Sequence, residues 1–321
     1  MAPTIRMTVA VLGATGQQGG SVARELLAYP ERYLVRVLTR NATSSKALDL
    51  TNLGAEIRTA DLNDHQSLRP ALDGAQIIFA MTDFWQSMSA DVEESQGKSL
   101  MDILSSLPQL EHLIWASLPD GRKISDGKYS NIFHWQSKAA VTGYIRDSKP
   151  GLWEKTTEIL FPNYFENCLT APSRYLPVKI NDVYIRSFPL SPGTTLPNVA
   201  IEDTGKLVDY VIRHGSTYQT KTITFFSEEL SEAEKAATIG RIYDIPVKYK
   251  KITSEEFQAT LTDMDPTTAL DFTEQLMIFE DCGMIYNRPE FIQANKLPGL
   301  KLKSWEEFVT SNDVLSYIID G

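Results

Sequence analysis

The sequence predicts an α/β protein built on a doubly wound parallel sheet, and two features of its first half indicate this. Short apolar, β-branched segments alternate there with longer amphipathic segments, and a glycine-rich turn stands between the first predicted strand and the first predicted helix. Strands that are apolar along their whole length are typical of sheets covered by helices on both faces. Regular alternation of strand and helix favours right-handed crossovers within one parallel sheet.

The elements of this half follow in a regular order along the chain. Strands are predicted at residues 8–12, 34–39, 55–60, 76–81, 112–117 and 156–160. Helices are predicted at residues 17–28, 65–72, 92–107 and 133–147. These elements form the first predicted domain, residues 1–160.

The second half, residues 161–321, is less regular and predicts a smaller α+β lid domain that recognises a substrate. Five prolines divide residues 171–198 into loops and short strands. A helix at 201–213 is expected to pack back on the first domain. The remaining predictions are a strand at 222–226, a helix at 232–243, a strand at 247–251 and short helices from residue 254 onwards.

Composition and charge argue against several classes of protein. The chain of 321 residues has a formal net charge of -10, which disfavours direct binding to nucleic acid or to an anionic membrane. Its two cysteines and four histidines are scattered, so neither a disulfide framework nor a metal site is expected. No segment approaches a membrane span, and no signal peptide is evident. A cytoplasmic location is expected, with nuclear entry left open.

The strongest motif is the glycine-rich turn at residues 13–20. A side chain at Gly13 or Gly16 would block the close approach of a pyrophosphate, and Gly19 lets the helix lie near the strand. The helix start then offers N–H groups and a positive dipole end to phosphates. The spacing G-x-x-G-x-x-G differs from the commoner G-x-G-x-x-G, but strand, turn and helix occur in the required order. A Rossmann-type dinucleotide site is therefore predicted, with contacts from Gly13, Thr15, Gly16, Gln17, Gln18 and Gly19.

The end of the second predicted strand indicates which dinucleotide binds. Proteins that use NAD commonly place an acidic residue there, about 20 residues beyond the glycines, to bond the ribose 2′-hydroxyl. This chain has Thr39, Arg40 and Asn41 at that position, with no acid between Tyr33 and Lys46. A guanidinium can pair with a 2′-phosphate, which an acid would repel. NADP(H) is therefore predicted over NAD(H), with Thr39, Asn41 and Lys46 assisting Arg40.

Further motifs follow along the chain in a fixed order. They are Asp61-Leu62, Thr82-Asp83-Phe84-Trp85, Gln96-Gly97-Lys98, Ser117-Leu118-Pro119, His134-Trp135-Gln136-Ser137-Lys138, residues 162–167, and residues 299–308 with Trp305. Together with the glycine turn and Arg40, these motifs resemble the NmrA-like family, an atypical branch of the short-chain dehydrogenase/reductase superfamily. The resemblance covers nearly the whole chain and is nearest to the branch with a human NADPH sensor and many fungal members.

The resemblance implies cofactor contacts beyond the glycine turn. Adenine would lie beside Asp61 and Leu62, and the nicotinamide ribose and phosphates would lie beside Thr82, Asp83 and Phe84. Lys98 and Lys138 would donate to phosphate or ribose oxygens. The nicotinamide end would be covered by Tyr164, Phe165 and Asn167. The residues by themselves favour plainer roles for two of these sets. Lys98 would be a surface helix lysine, and Tyr164 and Phe165 would be core.

This chain has no tyrosine at the place where short-chain reductases usually have the catalytic one. A typical short-chain reductase has Y-x-x-x-K on a helix and a serine at the end of the preceding strand. Here the helix has His134 and Lys138, which share one face because they are four residues apart, and Ser117 ends the strand. His134 could be the acid, since a histidine pKa of ~6.5 suits proton transfer near neutrality, with Ser117 orienting the substrate oxygen. Alternatively, His134 only packs near the site.

A second Y-x-x-x-K match, Tyr175 to Lys179, contains Pro177 and is interpreted as a decoy.

Two functions follow from these alternatives. The first is an NADPH-dependent reductase of a small carbonyl or conjugated substrate. The second is a regulatory protein that senses NADP(H) and signals redox state to a protein partner. A repressor that binds DNA directly is the weakest reading, because the charge is wrong and no helix-turn-helix is evident. The expected partner is therefore a small-molecule substrate or a regulatory protein, with a homodimer among the possible assemblies.

Overall fold

The computed structural model of the protein describes residues 6–320, which fall into two compact units. Unit 1 contains residues 6–119, His134–Phe161 and Ile201–Ile223. Unit 2 contains Asp120–Phe133, Pro162–Ala200 and residues 224–320.

The strands are, in chain order, β1 (Met7–Val11), β2 (Tyr33–Thr39), β3 (Glu56–Thr59), β4 (Ile77–Ala80), β5 (His112–Ser117), β6 (Thr156–Leu160), β7 (Asn163–Tyr164), β8 (Val178–Ile180), β9 (Val183–Phe188), β10 (Thr195–Val199), β11 (Thr222–Thr224), β12 (Glu228–Ser231), β13 (Val247–Lys251) and β14 (Ile292–Gln293).

The α-helices are α1 (Gln17–Leu27), α2 (Ser45–Asn52), α3 (His65–Leu72), α4 (Phe84–Ser87), α5 (Ala90–Ser105), α6 (Gly121–Ile124), α7 (Phe133–Ser148), α8 (Pro150–Trp153), α9 (Asn167–Thr170), α10 (Pro172–Tyr175), α11 (Asp203–Arg213), α12 (Glu232–Tyr243), α13 (Ser254–Ala259), α14 (Pro266–Cys282) and α15 (Trp305–Ser311). Short 3₁₀ helices occur at Gly215–Tyr218, Ile285–Asn287, Ala294–Lys296 and Val314–Tyr317.

The sheet of unit 1 has the strand order β11-β6-β5-β4-β1-β2-β3. All neighbours from β6 to β3 pair in parallel, which confirms the predicted doubly wound sheet. The strand order reverses between β1 and β4, and ligands of such sheets bind outside the carboxyl ends of the strands at this point.

Burial follows the position of each strand in the sheet. β4 and β5 are buried at every residue, as their continuous apolar sequences predict. β3 differs from the sequence expectation, because it is the edge strand and most of its residues are exposed. An edge strand is covered less completely than a central one, and its charged residues suit that position.

Helix α11 packs against α1 within unit 1. A Cβ atom at Gly205 would lie 2.5 Å from the Ser21 carbonyl oxygen and 2.5 Å from the Glu25 Cβ, so only glycine permits this approach. The Ser21 hydroxyl donates to the Glu202 carbonyl at 2.8 Å and accepts from the Gly205 N–H at 3.0 Å. These contacts tie a segment from the second half of the chain to the first helix.

Unit 2 contains two small sheets, with strand orders β12-β10-β7 and β13-β9-β8. Its hydrophobic core includes Phe165, Trp305 and Phe308 in mutual ring contact. α14 is longer than the short helices predicted after residue 254. Its bounds have local causes, since Asp265 caps its first turn and Gly283, with φ of 70°, follows its last residue.

Within the described residues, no helix has the length and apolar character that crossing a membrane requires.

Candidate functional site

The candidate site of unit 1 lies at the carboxyl ends of the parallel strands. The loops after β1, β2, β3 and β4 and the end of β5 carry Gly13, Arg40, Asp61, Thr82 and Ser117 respectively. Because the strands are parallel and adjacent, their carboxyl ends meet at one edge of the sheet. The fold thus brings together residues that are far apart in sequence.

The glycine turn is sterically determined at two positions. Gly13 has φ of +64°, and a Cβ there would lie 2.6 Å from the Met81 sulfur. A Cβ at Gly19 would lie 2.5 Å from the carbonyl oxygens of Leu12 and Gly13. The first glycine therefore lets the chain turn, and the other keeps α1 close to β1.

The start of α1 is suited to an anion. Gly16 is its N-cap and has no side chain to bond the first N–H groups, and no acid occurs in the first turn. The Gly16 N–H is used within the turn, donating to the Gly13 carbonyl at 2.8 Å. Helix starts of this kind bind phosphate through backbone N–H groups and the helix dipole.

The loop after β2 holds Arg40 at the surface. The Thr39 hydroxyl accepts from the Asn41 N–H at 3.2 Å, and the Asn41 side-chain oxygen accepts from the Thr43 N–H at 3.0 Å. These bonds order the loop around the guanidinium. Arg40 is exposed, and none of the carboxylates in residues 6–320 pairs with it.

The loop after β3 is joined to the end of β2. The Ala60 N–H donates to the Thr39 carbonyl at 3.0 Å, so the residues that follow both strands are neighbours. Asp61 uses one carboxylate oxygen to accept from the Asn63 N–H at 2.9 Å, and Leu62 packs partly buried against the core. Asp61 therefore shapes its own loop with one oxygen and retains the other.

A buried carboxylate network lies behind the loop after β4. Glu93 of α5 is fully buried and accepts from the Thr82 hydroxyl at 2.7 Å, from the Ser137 hydroxyl and from the Lys138 ammonium. The same ammonium donates to the Thr82 carbonyl oxygen at 2.8 Å and to its hydroxyl oxygen at 2.9 Å. An ammonium has three protons, and these contacts supply three acceptors. A ribose hydroxyl at Lys138 would have to replace one of them.

A close contact between helices α5 and α7 positions the residues of this network. A Cβ atom at Gly97 would lie 2.4 Å from a Val141 methyl, so α5 and α7 approach each other at this glycine. Glu93 precedes Gly97 by four residues, and Ser137 precedes Val141 by four. Since residues four apart share a helical face, the carboxylate and its partners meet one turn from the contact.

Ser117 belongs to a second buried network. Its hydroxyl lies 2.9 Å from the Thr142 hydroxyl, which donates to Glu158 at 2.8 Å. Because the Thr142 proton is used in that bond, Ser117 donates to Thr142. Glu158 also accepts from Arg146 and Thr222. Ser117 can accept a further bond, but it must release Thr142 before donating to a substrate oxygen.

His134 lies in an aromatic cluster at the start of α7. Its ring centroid is 5.1 Å from that of Trp85, 5.9 Å from that of Phe84 and 6.3 Å from that of Trp135. His134 is 6% exposed, whereas Trp85 is 49% exposed. Asp83 caps the short helix that carries Phe84 and Trp85 and so fixes the cluster. The imidazole is therefore nearly buried among aromatic side chains.

Lys98 lies on the outer face of α5. It pairs with Glu94, one turn earlier, at 2.5 Å, and the two side chains are 40% and 34% exposed. Its ammonium also lies 5.6 Å from the Tyr144 ring centroid. These contacts are those of a surface helix lysine, so its role as a phosphate or ribose donor stays a prediction.

The remaining predicted cofactor contacts belong to unit 2. Phe165 is 1% exposed and packs on Trp305 and Phe308, so its side chain is part of that unit's core. Tyr164 lines a cavity within unit 2, and Asn167 begins α9. Their contact with a nicotinamide stays a prediction.

Tyr175 and Lys179, the second Y-x-x-x-K match, do not share a helix. Tyr175 ends α10, Leu176 is extended and Lys179 lies in β8. The match is a decoy, as Pro177 indicates.

Glu93 and Thr142 were not identified from the sequence. A signal for Glu93 does exist: it occupies the buried face of α5 together with Gly97, Leu100 and Leu104. A carboxylate in the register of a buried face requires partners. Within residues 6–320, no group of His, Cys, Asp or Glu side chains is arranged to hold a metal ion.

Comparison with known proteins shows the family of this chain. The model of the NmrA-like family matches residues 6–309. An NmrA-like family domain-containing protein of Dictyostelium discoideum is 26% identical over 306 residues, covering 94% of this chain and 96% of that protein. A fungal relative from Aspergillus campestris, called an NmrA-like family domain-containing oxidoreductase, is 34% identical over 151 residues. That match covers 44% of each chain, so the chain spans less than half the length of this relative.

Solved structures share the fold. The NADPH complex of an NADPH-dependent quinone oxidoreductase from Escherichia coli aligns with a TM-score of 0.73 at 18% identity, covering 94% of this chain and 99% of that chain. The NADP complex of NmrA, a negative transcriptional regulator, aligns with a TM-score of 0.69 at 20% identity, covering 99% and 93%. At these identities the likeness concerns the fold. The family match over residues 6–309 decides the assignment: this chain belongs to the NmrA-like family.

Proposed function

We propose that unit 1 binds NADP(H) along the carboxyl edge of its sheet. The observation that carries this proposal is the combination of the glycine turn with an unpaired Arg40 at the adjacent strand end. Gly13 and Gly19 leave no room for side chains where the turn meets its neighbours, and α1 begins without a capping side chain or an acid. The diphosphate would lie on this helix start, and Arg40 would pair with the 2′-phosphate.

Arg40→Glu tests the preference for the phosphorylated nucleotide. Arg32→Glu is a matched control, because Arg32 is an exposed arginine that precedes β2 while Arg40 follows it. We expect Arg40→Glu to lower the affinity for NADPH relative to NADH by about tenfold or more, and Arg32→Glu to leave the ratio unchanged. Calorimetric titration of both nucleotides measures the ratio. An unchanged ratio in Arg40→Glu would remove the role of the guanidinium.

The activity supported best is NADPH-dependent reduction of a small carbonyl or conjugated compound. Similar proteins are called oxidoreductases, and one solved structure of the same fold is an NADPH-dependent quinone oxidoreductase. Bound NADPH would supply a hydride to the substrate carbon. One proton must then reach the substrate oxygen, so that each carbonyl reduced consumes one NADPH and one proton.

His134 is the side chain proposed to give that proton. The Lys138 ammonium uses its protons in bonds to Glu93 and Thr82. The Ser117 hydroxyl uses its proton in the bond to Thr142. The His134 ring lies against Trp85, which is half exposed, at the start of the helix that carries Lys138. An imidazole is a common general acid in enzymes, so no tyrosine is needed.

Steady-state oxidation of NADPH against a panel of aldehydes, ketones, quinones and enones tests this activity. His134→Gln should lower kcat by about a hundredfold or more while NADPH affinity is retained. His65→Gln, on the exposed start of α3, is the control and should have the wild-type kcat. Equal kcat values for the two variants would eliminate His134 as the proton donor.

A second function, redox sensing, is favoured by one observation. Ser117 and Lys138 are the two residues of the short-chain reductase pattern that this chain keeps. Both side chains bond buried partners and would have to break these bonds to assist catalysis. The solved NmrA regulator shows that the same fold occurs in a transcriptional regulator. A sensor must bind NADP⁺ and NADPH differently in its two states, because a ligand that binds both states equally shifts no equilibrium.

Hydrogen–deuterium exchange separates the two functions. A sensor predicts no turnover across the panel and a different protection pattern with saturating NADP⁺ than with saturating NADPH. Identical patterns together with no turnover would count against both.

A further inference from the structure

Unit 1 exposes two large apolar side chains in the segment that follows β4. Trp85 of α4 is 49% exposed, although tryptophan is highly buried on average. Met88 follows three residues later and is 45% exposed. Apolar side chains that are exposed close together mark ligand or partner contacts, whereas exposed apolar residues that are scattered singly are ordinary. This pair therefore indicates a contact surface.

The backbone that carries the two side chains is defined at both ends of α4. The side-chain oxygen of Asp83 accepts from the Trp85 N–H at 3.2 Å. The Met88 N–H donates to the Phe84 carbonyl at 2.8 Å. Met88 has φ of 54°, a left-handed conformation that is uncommon for a residue other than glycine. The exposure of Trp85 and Met88 thus follows from a specific turn of the chain.

The part of the Trp85 ring that is not exposed packs on two buried rings. Its centroid lies 5.3 Å from that of Phe84 at an interplanar angle of 89°, and 5.1 Å from that of His134 at 40°. Phe84 and His134 are 5% and 6% exposed. The half of the Trp85 side chain that is exposed to solvent is called its open half below. Because Trp85 and His134 are in ring contact, a ligand that covers the open half lies beside the imidazole.

Trp153 is a tryptophan of unit 1 in a different environment. It ends α8 shortly before β6 begins, whereas Trp85 follows β4. Since β4, β5 and β6 are parallel neighbours, the two tryptophans lie at opposite edges of the sheet. The Arg146 guanidinium lies 4.4 Å from the centre of the Trp153 ring, which also packs on the apolar core. Trp153 is thus covered by the chain's own side chains and provides a matched control.

We propose that the open half of Trp85, together with Met88, binds the ring of an aromatic aldehyde or ketone. Aromatic rings attract one another in offset-stacked or edge-to-face arrangements, and a methionine thioether makes favourable contacts with aromatic rings. The ring of the ligand would lie on Trp85, with its carbonyl group on the His134 side. This inference rests on the proposed function in one respect, since it treats the ligand of Trp85 as the substrate. It makes Trp85 the residue that favours aromatic over aliphatic carbonyl compounds.

Acetophenone and cyclohexyl methyl ketone are matched probes, because both have an acetyl group and the same number of carbon atoms, and only acetophenone has a flat aromatic ring. The full chain is labelled with fluorotryptophan and saturated with NADP⁺, which cannot reduce either ketone. Fluorine NMR follows the Trp85 and Trp153 signals, and each is assigned by its loss in the leucine variant.

We expect acetophenone to shift the Trp85 signal saturably and to bind about fivefold or more tightly than cyclohexyl methyl ketone, as calorimetry measures. Equal affinities, or shifts that do not favour Trp85 over Trp153, would overturn the proposal. A Trp85 signal that NADP⁺ moves and acetophenone does not move further would overturn it as well. If the chain binds no NADP⁺, the same titration without nucleotide decides.

Trp85→Leu keeps an apolar side chain and removes the ring, so it should abolish the preference for acetophenone. Trp153→Leu should keep the preference. A retained preference in a folded Trp85→Leu would refute the role of the indole ring, and the titration of the wild-type chain decides if that variant does not fold.

Turnover with NADPH separates this proposal from the proposed reduction. We expect the ratio of kcat/KM for acetophenone to that for cyclohexyl methyl ketone to fall about fivefold or more in Trp85→Leu and to stay unchanged in Trp153→Leu. Selective binding at Trp85 without turnover of either ketone would contradict the reduction and support the aromatic contact surface. Turnover of both ketones with equal kcat/KM would support the reduction and contradict the contact surface.

Discussion

Exchange of Glu93 for glutamine should destabilise the protein far more than the same exchange at the next residue. Glu93 is fully buried and accepts from Thr82, Ser137 and Lys138. Glutamine keeps an acceptor oxygen but removes the charge that opposes the Lys138 ammonium. Breaking a buried ion pair costs about 3–5 kcal/mol. We expect about 3 kcal/mol, the lower limit, because the Lys138 side chain is 13% exposed and keeps both bonds to Thr82.

Glu94→Gln is the matched control, since Glu94 and its partner Lys98 are 34% and 40% exposed. An exposed helix pair of this kind contributes about 0.5 kcal/mol or less. For a unit of this size, about 3 kcal/mol corresponds to a decrease in Tm of roughly 6–12 °C. Urea unfolding followed by circular dichroism measures both variants. A loss in Glu93→Gln no greater than that in Glu94→Gln would refute the reasoning.

A double-mutant cycle makes the test stricter. Lys138→Met should destabilise more than Glu93→Gln, because it leaves the fully buried carboxylate opposite an apolar group, whereas the lysine is partly exposed. The double variant should lose less stability than the two single losses added together, since no uncompensated charge remains. Simple additivity would show that the two side chains do not interact.

Two further predictions concern packing and pH. Gly97→Ala should destabilise the protein by about 1–3 kcal/mol, since the added methyl group would lie 2.4 Å from a Val141 methyl. Gly143→Ala, also on a helix, meets open space and should stabilise the protein by up to about 1 kcal/mol. Urea unfolding measures both variants. Burial lowers the pKa of His112 from 6.5 to about 4, so the unfolded chain binds this proton more tightly than the folded chain does. The neutral, buried His112 therefore contributes about 3 kcal/mol of stability above pH 6.5, and this contribution is lost as the pH falls to 4. His112→Gln should flatten the dependence of the unfolding free energy on pH in this range. An unchanged slope of free energy against pH would show that other groups cause the dependence.

Local patterns in the sequence were enough to predict strands β1 to β6 and the longer helices α1, α3, α5, α7 and α11 of unit 1, whereas α2, α4 and α8 were not predicted. β5 and β6 have the predicted bounds, because each is a short segment rich in apolar and β-branched residues. The start of α1 was predictable for a similar reason, since a glycine turn fixes where a helix begins. α14 was predicted less well: its cap at Asp265 and its end at Gly283 are local signals, but Thr267 and Thr268 in its first turn weaken the helical pattern.

The partners of the candidate site residues could not be predicted in the same way. Ser117, His134 and Lys138 are positioned by strand and helix patterns, but what their polar atoms bond depends on residues from other elements. The contact between α5 and α7 brings Glu93 to Lys138, and the packing of α7 on β5 brings Thr142 to Ser117. Such contacts join residues 25 to 45 positions apart in the chain.

The amino-acid sequence by itself determined the strand–helix alternation, the glycine turn and the cationic strand end, because each depends on backbone sterics or on charge within a few residues. Only the tertiary structure decided how the protons of Lys138 and Ser117 are used, and that Arg186 and Lys235 share the buried carboxylate of Glu232. The physical reason is that a hydrogen-bond donor satisfies a limited number of acceptors, and long-range packing chooses which acceptors reach it.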